Sequence, residues 1–162
     1  MIAISIEELK KRYAAGERNF SGVNLEGDLS GMELSGVDFT GNRMDEYDLA
    51  RTILKGASFV NTRLAQSCLD VADLTGADFR GARLSRASFK VANLTNADFR
   101  GASFNETSFD RANLTGANFG GTNLGGCIFW EANLTGANLE GCSLYKTAFR
   151  NTIMPDGRIR NE

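Results

Sequence analysis

At 162 residues the chain suits a single domain, and 18 Lys and Arg against 20 Asp and Glu leave a net charge of −2. So even a balance makes no strong commitment to nucleic acid or to an anionic membrane, and neither partner is expected. With no histidine, and with Cys68, Cys127 and Cys142 outside any paired CxxC spacing, neither a zinc site nor a disulfide framework is expected.

The opening MIAISI is too short for a signal-peptide core, and no apolar run is long enough to span a bilayer. A cytoplasmic protein without cofactor or metal is the expectation. Ser5 and Glu8 form a capping-box pair, Ile6, Leu9 and Tyr13 recur at helical spacing, and Gly16 supplies a stop. The spacing predicts a short helix over 6–15, inside an N-terminal cap of residues 1–17.

From Leu29 to Met154 every fifth residue is Leu, Phe or Met, and two residues before each, from Ala57 to Thr152, stands Ala, Thr, Ser or Cys. A helix turns about 100° per residue and would rotate this column by roughly 140° per step. A continuous strand would send successive members to opposite faces, because five is odd. The chain must therefore turn once per unit, with the large residue and the small one before it both facing inward. A longer period is superimposed: ADLTGADFRGA, ANLTNADFRGA, ANLTGANFGGT and ANLTGANLEGC begin at Ala72, Ala92, Ala112 and Ala132. Residues 20 apart should stack at about 4.8 Å, the spacing of neighbouring strands. Read this way, Leu34 to Leu134 form one column, Phe39 to Phe119 a second, and Leu49 to Phe149 a third that turns aromatic towards the C-terminus.

Repeated units such as ANLTG and ADFRG resemble pentapeptide-repeat proteins over about residues 18–154. The resemblance implies an all-β fold, a right-handed, four-sided (quadrilateral) parallel β-helix solenoid, here with the short helix as its N-terminal cap. The segments KKRYAAGERNFSG and TIMPDGRI are similar to the ends of cyanobacterial members. Pro155, Asp156 and Gly157 break the pattern and leave a polar tail over 155–162. Two departures precede the regular part: Leu25 and Leu29 are only four apart, and Asn42 and Tyr47 fill slots meant for small residues. The bulge over 42–48, with Asp45 and Glu46, reads either as a recognition loop or as the first coil settling against the helix.

No catalytic set emerges, and the chain is not expected to be an enzyme. Asp38, Asp78 and Asp98 share a column but alternate with Arg80 and Arg100, Cys127 and Cys142 take inward small-residue positions, and GANFGGTNLGG lacks the Lys-Ser/Thr of a phosphate loop. The N-L-T triplets match a glycosylation acceptor only because they are the repeat itself. Two outward features remain. Arg43, Arg63 and Arg83 should stack as a basic column, where like charges about 5 Å apart cost on the order of 1 kcal/mol each, relieved by an anionic partner or by nearby Glu46. Ile128, Trp130, Ala148 and Arg150, continued by Val71 and Val91, have the composition of an interaction hot spot. The expected function is a non-catalytic protein-interaction or structural module with a protein partner not identified by sequence. Self-association is offered at the C-terminal end or at the Trp130 wall. The resemblance implies one alternative, a DNA-mimicking gyrase inhibitor of the quinolone-resistance type, which calls for unbroken acidic columns.

Overall fold

A computed structural model describes residues 1–162. Its body consists of parallel bridges between residues 20 apart, arranged in four ladders. The first runs from Glu33 through Ile53, Asp73, Asn93, Asn113 and Asn133 to Ile153, and the second from Asp38 to Asn138. The third joins Arg43, Arg63, Arg83 and Ser103, then resumes from Asn123 to Ser143. The fourth runs from Asp48 to Ala148. Backbone hydrogen bonds accompany the bridges: Asp78 N–H donates down to Ala57 O at 2.9 Å, and Phe79 N–H donates up to Asp98 O at 2.7 Å. This is a β-helix-type fold, in which each coil satisfies its neighbours' peptide groups.

The corners explain the period of five. Ala57 N–H bonds to Leu54 O at 3.1 Å across Gly56, whose φ is +62°. An i to i+3 bond with only the third residue left-handed is the signature of a type II turn. Glycine takes that place often, yet Val71 and Val91 hold φ of +62° and +59°, which is strained for β-branched side chains. At Gly81 a Cβ would also stand 2.2 Å from Asn61 Oδ1 on the neighbouring coil, so that side chain would have to turn aside.

Inside, the columns pack by kind. Phe59, Phe79, Phe99 and Phe119 stack with centroids 5.0, 5.0 and 4.8 Å apart. Phe89, Phe109 and Phe129 do the same on the fourth ladder, at 5.2 and 5.0 Å. The two stacks meet edge to face, as in Phe99 with Phe109 at 5.7 Å, the geometry the ring quadrupole favours. Most hydroxyls in the small column donate to carbonyls 23 residues back, as Thr62 does to Phe39 O at 2.9 Å and Thr107 to Leu84 O at 2.8 Å, while Thr52 donates to Leu49 O at 2.6 Å. They are thus buried without an unmet hydrogen bond.

The N-terminal cap has two parts. Strand β1, Ile2–Ser5, pairs in parallel with β2, Val23–Glu26, from Ile2 opposite Val23 to Ser5 opposite Glu26. Helix α1, Ile6–Ala14, follows directly. Ser5 Oγ accepts from Glu8 N–H at 3.2 Å as N-cap. At the far end Gly16 N–H bonds to Tyr13 O and Glu17 N–H to Arg12 O, a Schellman ending around left-handed Gly16. Leu9 is wholly buried and Tyr13 packs on the core. Strand β1 is an addition to the expected helix. It pairs beneath β2, where the lowest peptide groups would otherwise face water as an open edge.

The C-terminus differs from the expected polar tail. Strands β3, Thr152–Ile153, and β4, Ile159–Arg160, form an antiparallel pair around Pro155-Asp156-Gly157. Met154 N–H donates to Arg158 O and Gly157 N–H to Met154 O, each at 2.8 Å. The reversal brings the Arg160 guanidinium 4.3 Å from the centroid of the Phe149 ring, and Phe149 is 4% exposed. Proline and glycine end the repeat by making a hairpin, and the arginine guanidinium covers the last ring through a cation–π contact.

Candidate interaction surfaces

Trp130 and Arg150 lie one coil apart at the corner that follows the fourth ladder. The Arg150 guanidinium sits 4.2 Å from the centroid of the indole, a cation–π contact. Trp130 keeps 36% of its surface exposed. Backbone bonds fix the pair's spacing: Arg111 N–H donates to Trp130 O and Glu131 N–H to Arg150 O, both at 2.7 Å. Ile128 bridges Ser108 below and Ala148 above and is half-buried. Val71 and Val91 stand at 53% and 48% exposure on corners of the same side. The arrangement joins a rigid aromatic, a cation and aliphatic surface.

Arg43, Arg63 and Arg83 occupy successive rungs of the third ladder, so they do stack. Their charges are not equivalent. Arg63 is paired with Asp45 at 2.7 Å, whereas Arg43 and Arg83 have no acidic partner within bridging distance. The carboxylate that relieves the column is Asp45 and not Glu46. Asp45 is also fixed by Ala65 N–H at 3.0 Å, while Glu46 sits at a left-handed corner.

The irregular segment 42–48 mends the first coil. Because one residue is missing there, Asn19 bridges Asp38, 19 positions on, and Gly22 meets no backbone carbonyl above it. Asn42 fills the gap: its Oδ1 accepts from Gly22 N–H at 2.7 Å, and its Nδ2 donates to Phe20 O at 2.8 Å. The Tyr47 hydroxyl donates to Leu25 O, and burial followed by nearby Glu26 raises its phenol above the ordinary range. Of the two readings of this segment, the geometry supports settling of the first coil.

The remaining reactive groups are occupied. Burial pushes the Cys127 thiol up to about 12, and burial also raises Cys68, so neither is set up as a nucleophile. Asp78 and Asp98 are each clasped by the arginine two residues on, at 2.7 and 2.6 Å. The Arg100 hydrogen bond is the main cause holding the Asp98 carboxyl below its usual range. No three Cys, Asp or Glu side chains gather in a metal-binding group, and no helix is long and apolar enough to cross a membrane. An exposed aromatic that sequence reading passed over is Tyr145, 73% exposed, with the Lys146 ammonium 5.3 Å from its ring centroid. Its outward place follows from its position just after Leu144 in the register.

Stacked 20-residue coils around an interior of leucine and phenylalanine define a β-helix-type repeat protein. The family model for pentapeptide repeats, in eight copies, matches residues 19–56, 33–70, 53–90, 92–130 and 117–156, and the chain belongs to that family. No curated protein matches it. Among solved structures it is similar to HetL, a protein involved in heterocyst differentiation regulation from the cyanobacterium Nostoc sp. strain PCC 7120. That match has 23% identity, 97% of this chain and 100% of that chain covered, and a TM-score of 0.37. A pentapeptide-repeat protein of the Arabidopsis thaliana thylakoid lumen shares 41% identity over 57% of this chain and 68% of that one, with a TM-score of 0.32. QnrB1, a plasmid-mediated fluoroquinolone resistance protein, shares 22% identity over 78% and 67%, with a TM-score of 0.40.

Proposed function

We propose that the protein is a non-catalytic protein-interaction or structural module, wound as a right-handed coil of square section, whose binding face is the Trp130 side of the fourth ladder. The observation that carries this reading is the half-exposed indole held under Arg150 beside Ile128. Aromatic and arginine anchors dominate binding energy when a partner covers them. Strained, exposed Val71 and Val91 on the same side support it, since strain persists where surrounding structure over-determines it. A filled interior supports the non-catalytic part. A cytoplasmic setting is in keeping with three cysteines that stand as separate thiols.

The partner is a protein or a second copy of the chain. Trp130→Ala should weaken self-association or partner retention by about 30-fold, equivalent to about 2 kcal/mol at a hot spot, with the melting profile unchanged. Sedimentation velocity over a concentration series and retention from lysate are the measurements. Unchanged profiles in both would remove this face from the reading.

Duplex mimicry of the gyrase-inhibitor type is the alternative, and it asks for a line of carboxylates at phosphate-like spacing. In the second ladder the acids are interrupted by Ser58, Asn118 and Asn138, and Asp78 and Asp98 are neutralised in place. A supercoiling assay with micromolar protein should therefore show no inhibition. Inhibition there would replace the interaction reading with the mimic.

A further inference from the structure

The third ladder is interrupted once. Arg83 bridges Ser103 and Asn123 bridges Ser143, but Ser103 and Asn123 form no bridge. One coil below the break, Leu84 N–H donates to Ser103 O at 2.9 Å and Arg86 N–H to Asn105 O at 2.7 Å; one coil above it, Leu124 N–H donates to Ser143 O at 2.9 Å. Phe104 and Glu106 make no such bond, and Asn123 N–H does not reach Ala102 O. The turn bond is lost too: Ala87 N–H reaches Leu84 O at 2.9 Å, but Thr107 N–H has no counterpart to Phe104 O. At the same level the other ladders keep their bridges, with Phe99 to Asn118, Phe109 to Ile128 and Leu114 to Asn133 each at 2.7 Å, although Gly101 N–H at the preceding corner, like Gly126 N–H one coil up, lacks the bond to the coil above.

The cause lies inside. The coil below carries Phe79, Leu84, Phe89 and Leu94, and the coil above carries Phe119, Leu124, Phe129 and Leu134. The interrupted coil carries Phe99, Phe104, Phe109 and Leu114, so a ring stands where its neighbours have leucine. Phe104 lies 5.8 Å from Phe99 and 5.9 Å from both Phe109 and Phe119. It is only half-buried, whereas Leu84 and Leu124 are fully buried. An extra ring in a filled core displaces backbone. At the corner that follows, the coils have not parted. A Cβ added to Gly126 would stand 3.7 Å from Glu106 N, the same distance as from a Cβ on Gly141 to Gly121 N.

We propose that Phe104 is a built-in wedge that turns one side of the solenoid into a seam, where the C-terminal coils tilt against the N-terminal stack about the intact first ladder. Trp130 and Arg150 lie above the seam, while Val71, Val91 and the Arg43–Arg63–Arg83 column lie below it. On the interaction reading above, tilting changes the spacing between the two parts of the binding face. The seam itself does not depend on that reading.

Amide hydrogen exchange on the full chain, read residue by residue by NMR, tests the wedge without any partner. Groups that open locally exchange faster than those released only by global unfolding, so the Phe104, Glu106 and Asn123 amides should exchange at least about 100-fold faster than those of Leu84, Arg86 and Arg83. Phe104→Leu recreates the composition of the coils above and below; it should slow the three amides by at least about tenfold and leave the melting temperature unchanged or higher. Equal protection in the parent protein would overturn the proposal. So would a Phe104→Leu variant that melts earlier with exchange unchanged, because Phe104 would then be filler and not a wedge.

Discussion

Phe99→Ala lowers stability by about 3–5 kcal/mol, the largest loss expected from any single truncation in this chain. The ring is completely buried. It stacks between Phe79 and Phe119 and meets Phe89 and Phe109 edge to face, with Phe104 beside it. Removing it leaves a cavity whose walls are themselves held by ladders above and below, so collapse is restricted and the cavity cost is retained. Phe149→Ala supplies the contrast. That ring stacks on Phe129 alone among the phenylalanines, under the Arg160 side chain, and the space it leaves opens towards solvent. Urea denaturation followed by circular dichroism should place the Phe99→Ala midpoint well below that of Phe149→Ala. Equal midpoints would mean that the phenylalanine stack does not hold the middle of the solenoid together.

Asn42→Ala should cost about 1–3 kcal/mol by leaving Phe20 C=O and Gly22 N–H without their partner, and the loss should be local. A solenoid unfolds in units that depend on adjacent units. Limited proteolysis is therefore expected to cut within residues 17–28 of the variant while the coils beyond Phe59 stay protected. If cleavage appears at once along the whole chain, Asn42 is a global and not a local fastener.

Most of this architecture could be read from spacing. Once Leu29 to Met154 are placed on a five-residue register, the bridge between Arg43 and Arg63, the stacking of Phe79 on Phe99 and the approach of Arg150 to Trp130 all follow from a separation of 20. What escaped the register lies where the register stops. The alternation in Ile2-Ala3-Ile4 is too short to announce a strand, and β1 exists because β2 leaves an edge to pair with. The hairpin after Met154 depends on Arg160 finding the Phe149 ring, a contact across 11 residues with no periodic precedent. Asn42 and Tyr47 were visible as misfits in a column of small residues. Their role was not, because it answers a residue missing 20 positions earlier. Phe104 is the subtler case: phenylalanine obeys the repeat, and only the simultaneous presence of Phe99 and Phe109 at the same level makes it too large.

The 20-residue separation of bridge partners from Glu33 onward bears on how the gene for such a chain can change length. Loss or duplication of one whole coil in the regular part would keep every remaining side chain in its own column, with phenylalanine on phenylalanine and leucine on leucine at most levels. A change of five residues preserves each local turn just as well, yet it rotates everything beyond it by a quarter of a coil and sets rings over leucines throughout the remainder. Slippage by twenty is therefore tolerated by the core, whereas slippage by five is caught there, even though no individual turn can tell the two apart.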